Sequence, residues 1–457
     1  MERNQPRLLL INPVSRYRKG LAHKQNHKLP PLCLAIIAGL TPRHWKTRIM
    51  DENFQEFRHR EADLVGITAY TPNAFRAYEI ARSYRERNIP VVMGGIHASM
   101  CTEEALQHVD AVVVGEAESV WARVVADFEA GRLQRVYRGD FASMDGQVVP
   151  RHDLLFPLYY WRCVQTSRGC PMNCDFCSVT SFNGGRFRAR PVEEVTEELR
   201  IFHGDGRNIF FVDDNIGGIT QRHRERAKEL FRGIIASKMK FNWFSQTSVD
   251  FADDPELVRL AAASGCRMLL VGFESDSEEA LAASGKKNNL RHGVKNYRGI
   301  IRKFHRHGIG VLGTFIFGME TDHPEDITRR AAFISRLNVD CVQTSMLTPY
   351  PGTSLARRFA DQDRLACKNF PHDWQYYNWE DITIRHPSIA SDDLARRMTQ
   401  AYHRIYDPGA LQLRFLRTLW NTRSLVTAGW SLKANLFYRR IMLERPIHYC
   451  PGGPSAP

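Results

Sequence analysis

Arg168-Gly-Cys-Pro-Met-Asn-Cys-Asp-Phe-Cys-Ser178 places three cysteines, Cys170, Cys174 and Cys177, close together in one loop. The apolar segment from Cys163 to Ser167 precedes this loop and predicts a β-strand. Three thiolates at this spacing can bind three irons of a [4Fe-4S] cluster and leave the fourth iron open. Because an open iron can bind a reactant, the loop predicts a site that does chemistry rather than one that only passes electrons.

A structural zinc site is the first alternative for these cysteines. Such a site needs four ligands, usually in two separated pairs, whereas Cys163 and Cys266 stand alone. A disulfide framework is the second alternative, but 10 cysteines in 457 residues is ordinary usage and the sequence shows no signal-peptide pattern ahead of them. A structural iron–sulfur or zinc protein is therefore the less favoured, non-enzymatic alternative.

Strands and helices alternate after the cysteine loop. Helical composition marks Val192 to Phe202 and Arg222 to Ser237, which lie between apolar runs. The apolar runs are Asn208 to Val212, Phe241 to Gln246, Arg267 to Phe273, Ile309 to Phe317 and Asp340 to Leu347. This alternation predicts an α/β fold with a parallel sheet, and the strand before the loop brings the number of β/α units to six.

The cysteine loop resembles that of the radical S-adenosylmethionine (SAM) superfamily, whose pattern is Cys-x3-Cys-x-aromatic-Cys, with Phe176 at the aromatic position. The resemblance implies an open, partial (β/α)6 barrel. It also implies that Cys170, Cys174 and Cys177 ligate the [4Fe-4S] cluster and that Phe176 contacts the adenine side of SAM. In the family the open iron binds the amino and carboxylate groups of SAM, and reduction of the cluster cleaves SAM to a 5'-deoxyadenosyl radical.

Polar residues follow the predicted barrel strands, at the end of the sheet where chemistry collects. Val212-Asp-Asp-Asn215 stands where the family binds the SAM amino group, and the choice between the two aspartates is open. Gly272-Phe-Glu-Ser275 resembles the ribose-binding strand end, since a carboxylate can accept two ribose hydroxyls. The segment from Gly313 to Glu320 resembles the element beside adenine. The resemblance therefore implies SAM contacts at Asp213, Asp214, Asn215, Glu274, Ser275, Gly313, Gly318 and Glu320.

Short apolar strands and helical stretches also alternate in the first part of the chain. The strand segments are Leu8 to Asn12, Thr47 to Asp51, Leu64 to Ala69, Pro90 to Gly94 and Ala111 to Gly115. The helical segments are Leu32 to Leu40, Asn73 to Arg87 and Glu118 to Ala130. These βα units predict a doubly wound, Rossmann-like domain. No Gly-x-Gly-x-x-Gly follows the first strand, so a nicotinamide or flavin dinucleotide is not expected.

This first part resembles the cobalamin-binding module of B12-dependent radical SAM proteins. The matching segments are Asn12-Pro13, Pro30-Pro31-Leu32, Val65 to Thr68, Val91 to Ala98 and Val113 to Glu116. The resemblance implies cobalamin contacts at Thr68, Tyr70, Gly94, Gly95, His97, Gly115 and Glu116. Glycines at strand ends let the backbone approach a corrin tail, although Gly94-Gly95 also fits a simple tight turn. The cobalt-ligating Asp-x-His-x-x-Gly is absent, and His23 and His27 lack its flanking residues, so a lower axial histidine is not expected.

Length and charge divide the chain into predicted regions. The 457 residues exceed what one hydrophobic core usually fills. We predict a B12-binding domain at 1–140, a linker at 141–157, the partial barrel at 158–365 and a mostly helical tail at 366–457. The formal net charge is +13, and from Ser391 to Cys450 ten Lys and Arg face four Asp and Glu. The tail is therefore disproportionately basic.

The basic, aromatic tail admits two interpretations. A helical cap on the barrel mouth is favoured, and a helix on a membrane surface is the alternative, with arginines at the lipid head groups. No apolar run reaches the ~18 residues needed to span a bilayer. Nucleic acid is not an expected partner, because a basic surplus alone is a weak signal and no RNA-binding tail is recognisable.

The two resemblances together imply a cobalamin-dependent radical SAM enzyme. The favoured activity is C-methyl transfer to an unactivated carbon of a hydrophobic or natural-product substrate, through a 5'-deoxyadenosyl radical and methylcobalamin. A non-methylating oxidation, cyclisation or ring rearrangement by the same cofactors is the alternative. We also expect an external electron donor of the flavodoxin or ferredoxin type. The expected location is the cytoplasm, at the inner membrane face if the tail binds lipid.

Overall fold

A computed structural model describes residues 5–17 and 28–450 and divides the chain into two compact units. His23 and His27 lie outside the described residues. The first unit comprises Met1–Cys163, Tyr350–Gly352 and Lys368–Asn378, and the second comprises Val164–Pro349, Thr353–Cys367 and Trp379–Pro457. The boundary at Cys163 falls later than the predicted linker. The residues of the predicted tail are divided between the two units, with Lys368–Asn378 in the first and Trp379–Pro457 in the second.

A six-stranded parallel sheet forms the first unit. Its strands are β1 (Arg7–Asn12), β2 (Lys46–Asp51), β3 (Leu64–Thr68), β4 (Val91–Gly94), β5 (Ala111–Val114) and β6 (Val136–Arg138). They lie in the order β2-β1-β3-β4-β5-β6, which confirms the doubly wound fold. All five predicted strands are present. The sixth, β6, is too short to carry a periodic signal in the sequence.

Helices cover this sheet and close its core. They are α1 (Leu32–Leu40), α2 (Ala74–Arg85), α3 (Ile96–Met100), α4 (Thr102–His108) and α5 (Trp121–Glu129). Leu8, Leu10, Val92 and Val113 from the strands pack with Trp121 of α5 in one buried cluster. Parallel strands covered on both faces are buried along their length, which explains why their apolar runs identify them in the sequence.

Residues 141–157, the predicted linker, pack on the first unit. Met144 is buried, and Leu154 packs against the core of this unit. The Arg151 N–H donates a hydrogen bond to the Ala35 carbonyl of α1 at 2.9 Å. Apolar side chains spaced among the glycines and prolines of this segment therefore give it a fixed place.

A second six-stranded parallel sheet forms the barrel of the second unit. Its strands are β7 (Trp161–Val164), β10 (Asn208–Phe211), β11 (Trp243–Thr247), β12 (Cys266–Glu274), β13 (Gly310–Phe317) and β14 (Cys341–Met346). A separate antiparallel pair consists of β8 (Ser167–Arg168) and β9 (Arg188–Ala189). The sheet order β14-β13-β12-β11-β10-β7 confirms the open, six-stranded partial barrel. The first barrel strand ends at Val164, earlier than predicted, because Ser167 pairs with β9.

Helices follow the barrel strands. In chain order they are α6 (Ser178–Asn183), α7 (Val192–Arg200), α8 (Gln221–Ala236), α9 (Pro255–Ala263), α10 (Glu278–Ala283), α11 (Lys287–His292), α12 (Tyr297–His305), α13 (Pro324–Arg336) and α14 (Ser354–Asp361). The two helices predicted in this region are confirmed as α7 and α8. The alternation brings the carboxyl ends of all six strands to one end of the barrel.

Three further helices, α15 (Ser391–Ile405), α16 (Pro408–Thr422) and α17 (Leu425–Leu443), follow in the same unit. Thr427 Oγ1 donates to the carbonyl oxygens of Arg267 and Gly308, at 3.2 and 3.0 Å, and Asn435 Nδ2 donates to that of Asp340 at 2.8 Å. These carbonyls lie at the amino ends of β12, β13 and β14. The expected cap at the barrel mouth is therefore wrong for α16 and α17, because polar side chains two helical turns apart on α17 satisfy carbonyls at the opposite end. Among the described helices, none is both long and apolar enough to cross a bilayer.

Candidate active site

The cysteine loop starts at a position that only glycine can occupy. Gly169 has a φ of +84°, and a Cβ at this position would overlap the carbonyl oxygen of Arg186. Within the loop the Cys177 N–H donates to the Cys174 carbonyl at 3.1 Å, which closes a tight turn between two of the three cysteines. The backbone conformation at Gly169 and this hydrogen bond therefore set the course of the loop without a bound metal.

The three thiols are not grouped as the ligands of a single metal ion would be. In this described loop the sulfur atoms of Cys170, Cys174 and Cys177 are not all within 4.8 Å of one another, as three ligands of one zinc ion would be. In a [4Fe-4S] cluster each thiolate binds a different iron and the sulfurs lie further apart. Burial raises the pKa of Cys174 to about 12, and the nearby Lys286 ammonium acts in the opposite direction. A set of three sulfur ligands with a cation beside it fits an anionic iron–sulfur cluster.

The structure distinguishes the two aspartates that follow β10. Asp213 is fully buried and accepts hydrogen bonds from the Thr166 N–H and Oγ1, at 2.7 and 2.5 Å, and from Ser167 Oγ at 2.7 Å. Asp214 accepts a hydrogen bond from the Gly169 N–H at 2.7 Å, directly before the first cysteine. Burial raises the pKa of Asp214 to about 6, although the Gly169 bond opposes this shift. Asp213 therefore anchors the chain that enters the cysteine loop, and Asp214 lies beside the loop itself.

Asn215 completes the group at the end of β10. Its Nδ2 donates to Ser248 Oγ at 3.1 Å, and its Oδ1 accepts from Thr247 Oγ1 at 3.2 Å. The side chain also interacts with the Cys170 thiol, where it lowers the pKa against the larger effect of burial. Asn215 thus connects the ends of β10 and β11 to a cluster cysteine.

Glu274 ends β12 with a left-handed backbone and a cation as its partner. Its φ is +63°, unusual for a residue with a side chain, and its Oε1 lies 2.8 Å from Lys286 Nζ. Thr314 Oγ1 of β13 donates to Oε2 at 3.3 Å. At Gly272 a Cβ would lie 2.5 Å from Glu274 Oε1, so the glycine provides room for the carboxylate. Burial alone would lower the pKa of Lys286, but the Glu274 carboxylate and the cluster thiols outweigh it and the pKa is raised.

Arg330 of α13 holds the ends of β12 and β13 together. Its side chain is fully buried and donates to both carboxylate oxygens of Asp322, at 2.7 Å each. It also donates to Ser275 Oγ at 2.8 Å and to the Ile316 carbonyl at 2.9 Å. Ser275, predicted as a SAM contact, is itself fully buried and held by this network.

Glu320, a predicted SAM contact, is already engaged by two arginines. It accepts a hydrogen bond from Arg358 Nη2 at 2.6 Å and another from Arg364. Arg358 also donates to Asp175 of the cysteine loop at 2.9 Å. Burial raises the pKa of Glu320, but the two guanidinium groups outweigh burial and lower it overall. In this arrangement Glu320 braces the cysteine loop through Arg358.

The predicted adenine side is apolar. Phe176 packs against a buried cluster that includes Ile316 and Leu347 at the ends of β13 and β14. Gly318 directly follows β13 with a φ of +70°. Gly313 differs from expectation, because it lies inside β13 and a Cβ there would contact Val339, Phe273 and Phe315 within 3.1 Å. Gly313 is therefore surrounded by core side chains, whereas Phe176 and Gly318 lie at the strand ends.

The predicted cobalamin residues lie at the carboxyl ends of β3, β4 and β5 in the first unit. Gly95 has a φ of +94°, and a Cβ there would lie 2.8 Å from Thr68 Oγ1. Gly115 has a φ of +79°, and Tyr70 is 64% exposed after β3. A cradle of backbone and small side chains with an accessible ring fits the approach of a large, polar-edged cofactor. Glu116 is buried directly beyond Gly115.

His97, like Glu116, is buried in the first unit. Its ring is buried, and Nε2 lies 3.1 Å from Tyr78 Oη and 3.4 Å from Glu104 Oε1. Trp374 Nε1 donates to the same carboxylate at 2.9 Å. The ring therefore belongs to a hydrogen-bonded group centred on Glu104.

Sequence reasoning missed Lys286, Arg330 and Glu104. Arg330 and Glu104 lie on helices and Lys286 directly precedes α11, and each meets its partners only after the chain has folded. The one signal in the sequence for Arg330 and Lys286 was a basic residue in or next to the helices that follow the motif-bearing strands. That pattern is common on solvated helices, so it could not have identified them.

A cysteine loop at the carboxyl ends of a partial (β/α)6 barrel, preceded by a doubly wound domain with glycine strand ends, defines a class: radical SAM enzymes that carry a B12-binding domain. Sequence comparison agrees, since residues 164–334 match the Radical SAM superfamily and residues 18–125 match the B12 binding domain. The chain belongs to this family of enzymes. Its cofactors are accordingly a [4Fe-4S] cluster, SAM and cobalamin.

Similar proteins include methyltransferases and a cyclase. The bacteriochlorophyllide d C-8(2)-methyltransferase of Chlorobaculum tepidum is 28% identical over 88% of this chain and 90% of that protein. The anaerobic magnesium-protoporphyrin IX monomethyl ester cyclase of Rubrivivax gelatinosus is 25% identical over 88% of this chain and 77% of its own length. The radical SAM methyltransferase TsrM from Kitasatospora setae, solved with cobalamin and a [4Fe-4S] cluster, has the same fold, with a TM-score of 0.68. The two sequences are 17% identical, and the match covers 94% of this chain and 100% of that chain.

Proposed function

We propose that this enzyme transfers a methyl group to an unactivated carbon of a hydrophobic substrate. The observation that carries the proposal is the meeting of the cysteine loop with Asp214 and Glu274 at the carboxyl ends of the barrel strands, in a chain that also carries a B12-binding domain. The similarity to a methyltransferase over nearly the whole chain supports the choice of methyl transfer among the reactions open to such enzymes.

The proposed roles follow from where each side chain lies. Cys170, Cys174 and Cys177 would hold the cluster, with Lys286 offsetting its negative charge. Asp214, beside the first cysteine, would accept hydrogen bonds from the SAM amino group, because Asp213 is used by Thr166 and Ser167. An apolar position at the strand ends suits Phe176 for the adenine ring.

Glu274 would accept the ribose hydroxyls of SAM. Its left-handed backbone and its ion pair with Lys286 fix the carboxylate, so binding requires little reordering of the side chain. When bound, the cluster and SAM supply a radical that abstracts hydrogen, and cobalamin supplies the methyl group. Buried surroundings at the strand ends keep water away from that radical.

The cobalamin would rest on the strand ends of the first unit. Gly94, Gly95 and Gly115 would let the backbone approach the corrin edge, and Thr68 and Tyr70 would offer hydroxyl groups to it. His97 and Glu116, both buried, would support this surface from within. No cobalt-ligating role is proposed for His97, because its Nε2 is engaged by Tyr78 and Glu104.

A tetrapyrrole or similarly large apolar scaffold is the proposed substrate class. Both the methyltransferase and the cyclase named above act on tetrapyrroles by name, and they cover most of this chain. An external flavodoxin or ferredoxin would supply the electron that reduces the cluster, and no nucleic acid is involved. A cytoplasmic location with peripheral membrane contact through residues 366–457 completes the proposal.

The test is a product analysis with labelled SAM. The enzyme is purified anaerobically from cells supplied with cobalamin, its cluster is reconstituted, and it is incubated with trideuteromethyl-SAM, a reductant and a panel of tetrapyrroles. We expect 5'-deoxyadenosine, S-adenosylhomocysteine and a product heavier by one trideuteromethyl group. Product formation without the label would refute methyl transfer.

Cys177→Ala provides the matched test of the cluster, with Cys266→Ala as the control. Cys177 is partly buried and Cys266 is buried, and only Cys177 lies in the cysteine loop. We expect Cys177→Ala to lose iron and SAM cleavage while it retains cobalamin, and Cys266→Ala to retain all three. Loss of cobalamin from Cys177→Ala by global unfolding, with zinc bound to the wild type, would instead support a structural metal site.

A non-methylating cyclisation or oxidation is the second candidate. The observation that favours it is the 25% identity to the cyclase over 88% of this chain. The same incubation separates the two reactions, because a cyclase forms 5'-deoxyadenosine and methionine without S-adenosylhomocysteine, so the methyl label remains on methionine and does not enter the product.

A further inference from the structure

Helix α16 turns an apolar stripe away from the protein. Leu413, Leu416 and Trp420 are spaced like one face of a helix and are 46%, 59% and 84% exposed. The opposite face, with Leu411 and Thr418, is buried. A helix that only packed on its own unit would present polar residues to water, so the outward stripe requires a different explanation.

The stripe continues around the turn between α16 and α17. Arg423 ends α16 with a φ of +52°, and Leu425, the first residue of α17, is 76% exposed. Trp420 and Leu425 therefore flank one tight turn, with Arg423 between them in the chain. We call the surface formed by Leu413, Leu416, Arg417, Trp420, Arg423 and Leu425 the hairpin surface.

The charged residues of α16 and α17 are all basic. From Pro408 to Leu443 the sequence contains no Asp or Glu and six Arg and Lys. Two of the arginines turn inward, since Arg414 donates to Asn435 Oδ1 at 2.9 Å and Arg439 donates to the Tyr406 carbonyl at 3.1 Å. Arg417 and Arg423 are exposed, and neither forms an ion pair with another described residue.

We propose that the hairpin surface docks on an anionic lipid bilayer. Tryptophan and leucine side chains favour the boundary between head groups and acyl chains, and adjacent arginines favour lipid phosphates. An acidic protein partner would match the charge, but it would leave the bulky apolar side chains at the turn without an acyl layer to enter. The bilayer matches both the charge and the apolar tip.

This inference deepens the proposed function, since it names the surface that makes the peripheral membrane contact. A lipid surface would concentrate an apolar substrate that is poorly soluble in water. The surface lies on α16 and α17, which pack at the amino ends of the barrel strands. Membrane binding can therefore fail while SAM cleavage persists, and the two proposals are tested separately.

The experiment is anaerobic cosedimentation of the full-length holoenzyme with vesicles. One vesicle preparation contains phosphatidylcholine alone, and the other contains phosphatidylcholine with phosphatidylglycerol. We expect binding to the second preparation, and we expect the Trp420→Ser, Leu425→Ser double variant to bind it at least ~10-fold more weakly. The Arg417→Ala, Arg423→Ala double variant should bind these vesicles about fivefold more weakly for each arginine removed, and its binding should be less sensitive to salt.

The matched control is the Ile201→Ser, Lys240→Ala double variant, which removes an exposed apolar and an exposed basic side chain elsewhere on the same unit. This control should bind vesicles like the wild type, and all variants should cleave SAM equally. Absence of vesicle binding by the wild type would overturn the proposal. Vesicle binding by the Trp420→Ser, Leu425→Ser variant equal to that of the wild type would overturn it as well. So would a wild type that is dimeric and a variant that is monomeric, because the surface would then bind a second copy of the chain.

Discussion

Replacement of Arg330 by leucine tests whether the buried network shapes the proposed SAM site. The guanidinium group donates to Asp322, Asp276, Ser275 and the Ile316 carbonyl, over distances of 2.7 to 2.9 Å. The arginine and Asp322 are both almost completely buried. Leucine fills part of the space but cannot pair with either carboxylate.

The expected cost follows from the unpaired charges. Removal of one member of a buried ion pair costs about 3–5 kcal/mol, because the remaining carboxylate is left without compensation. Asp276 retains a second partner in Arg329, at 3.0 Å, so the main penalty comes from Asp322. Removal of both partners, in Arg330→Leu with Asp322→Leu, should therefore cost less than Arg330→Leu alone.

The assay is urea unfolding of the anaerobic holoenzyme, with hydrogen exchange used to assign the transition to β12 and β13. Arg330→Leu should lower the free energy of unfolding of this unit and weaken SAM binding, because the ends of both strands lose their common anchor. Arg330→Lys should be intermediate, since a lysine cannot bond both oxygens of Asp322 and Ser275 at once. A loss below about 1 kcal/mol in Arg330→Leu would refute the reasoning, because that is the range of a single exposed pair.

Three further outcomes are expected. Glu274→Gln should raise the dissociation constant of SAM about 10-fold or more, measured by equilibrium dialysis, because a neutral amide replaces a charged acceptor; unchanged affinity would remove Glu274 from the site. Gly95→Val should reduce bound cobalamin in its absorption spectrum while iron is retained, and Gly299→Ala, at a position with open space, should not; full corrin content in Gly95→Val would contradict the cradle. Burial raises the pKa of Glu104, but hydrogen bonds from His97, Trp374 and Tyr78 outweigh it, so the folded-state pKa is lowered. The stability from these bonds is present above the ordinary glutamate pKa and is lost as the pH falls through the lowered value. Glu104→Gln should therefore flatten the acid limb of the curve of unfolding free energy against pH, and an unchanged limb would count against this role.

Most of the fold followed from the apolar runs. The strands predicted from Leu64 to Ala69 and from Ile309 to Phe317 differ from the observed strands by one residue at one end. Such accuracy has a physical reason, because strands of a parallel sheet are covered on both faces and must be apolar throughout. The three-residue β6 was not predicted from the sequence. Tyr137 is its one buried residue, so it has no apolar run.

Adjacent acidic residues show where sequence reasoning stopped. Asp213 and Asp214 are neighbours of the same type, yet one is used by Thr166 and Ser167 and the other lies beside the cysteine loop. Glu320 is engaged by Arg358 and Arg364, which follow it by 38 and 44 residues. These partners meet through the barrel, so no local pattern could reveal them.

The sequence by itself determined the class of this enzyme, because the cysteine spacing and the order of strands are local properties of the chain. Only the tertiary structure decided which carboxylates remain close to the cysteine loop, which helix residues brace it, and that α16 and α17 pack at the amino ends of the barrel strands. The same distinction holds for the exposed stripe with Trp420, because the helical period groups its residues but burial of the opposite face decides which side meets the solvent. Local spacing determines which groups are available, whereas packing across the chain determines which of them pair and which remain exposed.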